Sequence, residues 1–226
     1  MDDRPLVILD LDNTCISAVD YNTIHTVPHP ETYVYHDLEN IYRIYERPGL
    51  QEFLDKLFKT YKVAIWTAAG VTYALFVIRT CIIQNHPERS IEFVMWDNHC
   101  RYSSRRSKGQ FKNMMLLEPL YHLTKIVLLD DNPDVLRQRK DTINSHYFDV
   151  MVENAYHDTF LYHLCDIIEL YFIRKKSRKY IKKEELQKLL REDYTTTKAH
   201  IPHIQDPTDL IFQPLHVYHN NNDTHP

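Results

Sequence analysis

Asp10 and Asp12 stand two residues apart in LVILDLDNTC (6–15), straight after an apolar run and with Thr14 two places further on. A second acidic pair, Asp130–Asp131, closes the run KIVLLD (125–130) and leads into Asn132–Pro133. Burying an unpaired carboxylate is costly, and placing like charges side by side is costlier. Carboxylates delivered at the ends of two buried-type runs therefore need a cation. A hard divalent ion such as Mg²⁺ takes oxygen ligands while keeping several waters. Asp10, Asp12, Asp130 and Asp131 are its candidate ligands.

With such an ion in place, the first pair can divide a phosphoryl transfer between its members. One aspartate attacks phosphorus to give an acyl phosphate. The other protonates the leaving oxygen and then activates water. Charge spreading over the transferred group needs donors. Thr67, ending KVAIWT (62–67), can donate from its hydroxyl beside the backbone N–H of Ala68. Lys112 is the cation expected to face the remaining oxygens, with Lys108 its near rival. The loop NHCRYSSRRSKGQFK (98–112) adds Arg101, Arg105, Arg106 and Lys108. That cluster suits a phosphorylated peptide or a nucleic-acid end, and equally a solvated basic loop.

The elements that must hold these residues follow from pattern. LVILD (6–10), KVAIWT, IEFVMW (91–96), KIVLLD and FDVMV (148–152) are nearly continuous apolar runs, as strands covered on both faces are. PGLQEFLDKLFKTY (48–61) places Leu50, Phe53, Leu54, Leu57 and Phe58 on one helical face, with Pro48 in the first turn. Further helices are predicted over Val71–Asn85 and Phe111–Leu117, and from a cap at Asp158 through Leu161, Leu164, Cys165, Ile168 and Phe172. Alternating strands and helices predict an α/β, doubly wound, mainly parallel central sheet, which binds ligands at the carboxyl ends of its strands. Asp10, Thr67, Asp130 and Asp131 fall there.

Residues 15–46, rich in tyrosine and histidine, predict a small β-hairpin insert beside that end. Tyr21, Tyr33, Tyr35 and His36 can either meet a substrate or pack the hairpin. Residues 1–173 form the expected catalytic domain, and 174–226 a basic helical extension and tail. The extension opens with RKKSRKYIKK, which carries seven basic residues. That run reads as a charged helix face, or as a nuclear-localisation or nucleic-acid patch. A helix through Leu186, Leu189 and Leu190 follows, then a tail in which LIFQPL is expected to pack.

Composition removes several classes. A net charge of −4 does not suit a generic nucleic-acid binder, and three glycines leave no GxGxxG or GKS/T phosphate loop. No apolar run approaches the roughly 20 residues of a membrane span. The chain is expected to be intracellular, nuclear or cytoplasmic, and not secreted. Its four cysteines form no CxxC pair, which favours reduced thiols over a zinc site or disulfides.

The order DxDxT, strand ending in Thr, Lys, acidic pair resembles the haloacid dehalogenase superfamily of phosphotransferases. LVILDLDNT, YERPGLQEFLDKLFKTYKVAIWTAA, KIVLLDDNP and AYHDTFLYHLCDIIELY narrow the resemblance to its RNA polymerase II C-terminal-domain (CTD) phosphatases, the NLI-interacting-factor or small-CTD-phosphatase-like group. Together these stretches cover about residues 4–173. The resemblance implies a HAD-like Rossmannoid fold, a nucleophile at Asp10 and an acid/base at Asp12, whose backbone carbonyl also binds Mg²⁺. It implies phosphate contacts from Thr67 and Lys112 and a metal ligand at Asp131, supported by Asp130. Relatives commonly carry Asp-Asn where this chain has Asp130–Asp131, so this site holds one more charge. The implied substrate is phosphoserine or phosphothreonine in a Pro-containing peptide, gripped by aromatics of the insert. The short spacings between motifs leave no room for a large cap, which predicts an open site. Two other functions stay in view: hydrolysis of phosphates on nucleic-acid ends or nucleotides, and a catalytically weak module that binds phosphorylated partners. A metal-dependent nuclease fits the aspartate order less well. A receiver domain would carry its acidic pair first in the chain, whereas here the pair comes last.

Overall fold

The computed structural model describes residues 2–84, 86–103, 111–132, 135 and 141–177, and of residues 101–103, 123 and 175–177 it describes the backbone alone. Four of the predicted runs become strands. They are β1 (Leu6–Leu9), β5 (Lys62–Trp66), β6 (Ile91–Met95) and β7 (Ile126–Asp130). With β8 (Thr142–Asn144) they make a five-stranded parallel sheet in the order β6–β5–β1–β7–β8. β1, β5 and β7 are almost wholly buried, as central strands covered on both faces must be.

Strand alternation divides their side chains between two faces. Leu6, Ile8, Ala64, Trp66, Ile126 and Leu128 share one face, where Cys100, Met114, Leu117 and Val135 complete a core. The opposite set, including Val7, Leu9, Val63 and Leu129, is equally buried. Helix α1 (Leu50–Thr60) buries Leu50, Phe53, Leu54 and Leu57, and packs against β5 and against α4 (Phe160–Ser177). Two short helices, α2 (Val71–Val77) and α3 (Asp97–Ser103), follow β5 and β6.

Register places the chemistry. Leu9 pairs with both Ile65 and Leu129, and the Asp10 N–H continues the ladder by donating to Leu129 O at 3.0 Å. One residue further on, Asp10 and Asp130 lie side by side, with Thr67 just beyond the end of β5. The N–H of Thr67 donates to Met95 O at 3.0 Å and fixes that corner.

The expected hairpin is a three-stranded antiparallel sheet. It is built from β2 (Ile16–Asp20), β3 (Tyr35–Leu38) and β4 (Tyr42–Glu46) in the order β2–β4–β3. Two 3₁₀ turns, Tyr21–Thr26 and Pro30–Thr32, link β2 to β3.

Several expectations need correction. FDVMV is not a strand: Phe148 and Val150 leave the main sheet and bury against Val19, Val27, Tyr33 and Tyr45 of the insert. The fifth strand is the short, more polar β8, which among the described residues pairs only with β7. The predicted helix over Phe111–Leu117 shrinks to a 3₁₀ turn at Met114–Leu117. Asn113 caps it by accepting from the Met115 N–H, and this leaves Lys112 outside any helix. Pro48 precedes α1 instead of opening it. Gly49 stands at the helix start with φ +78°, and a Cβ there would meet the Tyr162 ring at 2.8 Å. The helix predicted from Val71 changes to π geometry over Ile78–Ile83. Asp158 caps α4 as expected, accepting from the Phe160 N–H at 2.9 Å. That helix runs past residue 173 to Ser177. The helix through Leu186–Leu190 and the LIFQPL segment lie outside the described residues. Among those described, no helix is long and apolar enough to cross a membrane.

Candidate active site

Asp10, Asp130 and Asp131 converge at the carboxyl end of β1 and β7, with one oxygen of each within 4.8 Å of the others. Lys112 reaches into this group from its loop. Its Nζ donates to Asp10 Oδ1 at 2.5 Å and to Asp130 Oδ2 at 2.6 Å, with all three side chains buried. Burial alone would lower the lysine's pKa, but the two carboxylates outweigh it and hold the pKa above its ordinary value. The ammonium therefore stays charged. Asp130 is held further by the Asn132 N–H, which donates to its Oδ1 at 2.8 Å.

One ammonium does not balance the cluster. Burial, then the charges of Asp10 and Asp130, raise the Asp131 pKa well above the carboxylate range. Burial also raises that of Asp130, although Lys112 opposes it. Negative charge in excess, on hard oxygen donors a few ångströms apart, fits a divalent cation. The residues that would hold it are Asp10 and Asp131, with Asp130 behind them.

Asp12 stands apart from this group. Its Oδ1 accepts a 2.5 Å hydrogen bond from the Tyr73 hydroxyl, and burial pushes its pKa up to about 6 despite that bond. Two carboxylates separated by one residue thus have different settings. Asp10 is paired with a fixed ammonium, whereas Asp12 is held by a neutral donor and is ready to carry a proton near neutral pH.

Thr67 is buried, and its hydroxyl accepts from the Ala69 N–H at 3.0 Å, which folds the chain after β5 into a tight turn. Ala68, at the apex of that turn, is exposed. Thr14 lies beneath the cluster, with Oγ1 at 3.4 Å from both Asp10 Oδ2 and Asp131 Oδ1, and at 2.8 Å from Ser145 Oγ. The carbonyl of Thr14 accepts from the fully buried Arg47 at 3.0 Å.

The structure therefore brings together Asp10, Asp12, Thr67, Lys112, Asp130 and Asp131 at one end of one sheet. Lys108, Arg105 and Arg106 lie outside the described residues, and Arg101 is placed on α3 by its backbone alone. Tyr33 is buried against Tyr45 and Phe148, at 5.7 and 6.4 Å between ring centroids, so it packs the insert instead of facing a substrate. Tyr35 is exposed, with the Arg43 guanidinium 4.0 Å from its ring centroid. His36 turns inward to Glu46, which also accepts from Gln51 and Gln84, so this buried carboxylate is satisfied within the protein. All four cysteines are free thiols.

Sequence reasoning missed Tyr73, Ser145 and Arg47. A tyrosine at helical spacing reads as core, and a serine in a polar stretch carries no signal. Arg47 was visible only as part of the RPG block.

The sequence model of NLI interacting factor-like phosphatases matches residues 5–178. Protein 355R of Invertebrate iridescent virus 6, described as CTD phosphatase-like, is 35% identical over 175 residues, which make up 72% of this chain and 96% of that protein. Its namesake in Invertebrate iridescent virus 3 is 39% identical over 139 residues, or 57% of this chain and 75% of that protein. Among solved structures, the fission yeast RNA polymerase II CTD phosphatase Fcp1 bound to beryllium fluoride aligns with a TM-score of 0.47 and 20% identity. That alignment covers 85% of this chain and 56% of the other.

The family model and the viral relatives together define a phosphoric monoester hydrolase. The chain belongs to the NLI interacting factor-like phosphatase family, whose members generally use a divalent metal ion.

Proposed function

We propose that this chain is a Mg²⁺-dependent protein phosphatase, which hydrolyses phosphoserine or phosphothreonine through a phosphorylated Asp10. The observation that carries the reading is the unequal treatment of the two aspartates. Lys112 donates to Asp10 Oδ1 and fixes that carboxylate, while Tyr73 holds Asp12 with a pKa of about 6.

In the first step an Asp10 oxygen forms a bond to phosphorus as the bond to the serine or threonine oxygen breaks. Asp12 gives its proton to that leaving oxygen. In the second step Asp12 takes a proton from water, which attacks phosphorus and releases inorganic phosphate and the Asp10 carboxylate. Thr67 and the N–H of Ala68 would donate to the transferred oxygens, and Lys112 would keep the attacking carboxylate in position. A Mg²⁺ ion held by Asp10, Asp131 and the Asp12 carbonyl, with Asp130 behind, would supply positive charge against the phosphoryl oxygens.

A macromolecular substrate is supported by the small size of what surrounds the site among the described residues. Between Asp12 and Thr67 the chain holds the three-stranded insert, its two 3₁₀ turns, α1 and β5. The CTD phosphatase-like description of the viral relatives makes a phosphorylated polymerase tail the first peptide to try. The test is hydrolysis of para-nitrophenyl phosphate with Mg²⁺ or EDTA by wild type, Asp10→Asn and Asp12→Asn. A phosphoserine peptide and a 3′-phosphorylated oligonucleotide would then be offered together. Turnover that needs Mg²⁺ and Asp10, with release from the peptide, is the expected result. Turnover in EDTA or in Asp10→Asn would sink the mechanism, and release from the oligonucleotide alone would move the substrate to nucleic acid.

A further inference from the structure

Lys112 and the Asn132 N–H between them occupy Asp10 Oδ1 and both oxygens of Asp130. The oxygens left for other partners include Asp10 Oδ2 and Asp131 Oδ1. Thr14 Oγ1 stands 3.4 Å from each of these two, and Ser145 Oγ stands 2.8 Å behind Thr14. Both hydroxyls are buried, at 0% and 1% exposure, so water does not decide which way they point. A threonine hydroxyl has one proton and two lone pairs. Were Thr14 to donate to Ser145, it would turn its lone pairs toward two carboxylates, an arrangement repelled in a low-dielectric interior. With Ser145 donating instead, the Thr14 proton points into the gap between Asp10 Oδ2 and Asp131 Oδ1. The main chain of Ser145 is held beside Thr14, because its N–H donates to Asp130 O at 2.9 Å and extends β8 along β7.

We propose that Ser145 is a positioning residue for the cation site: through Thr14 it fixes the two carboxylate oxygens, one on Asp10 and one on Asp131, that the ion would take. The proposal rests on the metal-dependent reading above. Groups that orient the ligands of a metal are commonly worth about 10–100-fold in metal affinity.

The experiment is Mn²⁺ binding to the full chain followed by electron paramagnetic resonance, with thermal unfolding recorded for each variant. Ser145→Ala is expected to weaken Mn²⁺ binding about tenfold and to lower kcat on a phosphoserine peptide with KM little changed. Ser145→Cys, nearly isosteric but a weak donor, is expected to lose affinity similarly, which separates the lost hydrogen bond from a lost volume. Thr14→Val should weaken binding in the same way, and the double variant Thr14→Val/Ser145→Ala should be no worse than Thr14→Val, because the hydroxyls act in series. Mn²⁺ affinity within twofold of wild type in folded Ser145→Ala and Ser145→Cys would overturn the proposal, as would additive losses in the double variant. Absence of Mn²⁺ binding by the wild type would instead overturn the metal-dependent reading on which it rests.

Discussion

The Tyr73 hydroxyl donates to Asp12 Oδ1 at 2.5 Å, so the first turn of α2 holds the carboxylate that β1 delivers. Burial, and then the charge of Asp12, raise the phenol's own pKa, so Tyr73 keeps its proton and can only donate to the carboxylate. The bond opposes the burial that lifts Asp12, which without it would rise above about 6.

Tyr73→Phe is therefore expected to shift the pH profile for phosphoserine hydrolysis toward higher pH. It should also lower kcat by roughly tenfold, part of the 10²–10⁴ that a positioned acid–base group contributes. Para-nitrophenyl phosphate, whose leaving group departs without a proton, should be affected less. An unchanged pH profile, or equal losses on the two substrates, would mean that Tyr73 does not act through Asp12.

Excess charge in the site has a thermodynamic signature. The folded pKa of Asp12, about 6, exceeds its ordinary 3.8, and burial moves Asp130 and Asp131 in the same direction. The folded state then binds more protons than the unfolded state once the pH passes about 4. Stability contributed by these groups is full at lower pH and is lost as pH rises through their folded values. In EDTA the melting temperature should fall between pH 5 and pH 8. Mg²⁺ should raise it more at pH 8, where the carboxylates are ionised, than at pH 5. Equal Mg²⁺ shifts at the two pH values would show that the ion does not bind these groups.

Much of this site was legible because strand ends punctuate continuous apolar runs. The positions of Asp10, Thr67 and Asp130 follow from LVILD, KVAIWT and KIVLLD alone, and parallel pairing brings them together. What could not be read depends on tertiary packing. FDVMV is as apolar as the true strands, but Phe148 and Val150 serve the insert. Asn13, with φ +58°, draws that segment in, its amide donating to Phe148 O at 2.9 Å. β8 escaped notice because a short strand paired on one side needs no long apolar run. The helix predicted around Lys112 failed because Asn113 offers its side chain to the chain's own backbone and starts a new turn. Tyr33 and Tyr35 are two residues apart on one aromatic-rich segment. Both rings meet Tyr45, but the first also packs on Phe148 and is buried, while the second remains exposed.

Arg47 ties the loop after β1 to the start of α4. Its Nε and Nη2 donate to Asp158 at 3.1 and 2.7 Å, and Nη1 donates to Thr14 O and His146 O at 3.0 and 2.8 Å. The guanidinium also lies 4.6 Å from the Phe160 ring centroid. Arg47→Met would leave Asp158 and two carbonyls without these donors, a loss of about 3–5 kcal/mol by the cost of breaking buried ion pairs. Arg47→Lys should recover little, because an ammonium cannot reproduce the fork. Urea unfolding with Mg²⁺ present measures both, and a full recovery by lysine would show that charge alone is what the site requires.

Lys112 gives the sharpest separation between holding the fold and doing the chemistry. Replacing it with methionine leaves Asp10 and Asp130 without their shared cation in a buried setting. The expected loss is about 3–5 kcal/mol of stability in the absence of metal, together with loss of turnover. Adding Asp130→Asn removes the charge left behind, since Asp130 Oδ2 was one of the two acceptors of Lys112. The double variant Lys112→Met/Asp130→Asn should recover much of the stability, read by urea unfolding in EDTA, and none of the activity, because the attacking carboxylate still lacks its ammonium. A double variant no more stable than Lys112→Met would show that Lys112 holds the fold by packing its stem rather than by balancing charge. Recovered turnover would show that the phosphoryl step does not need it.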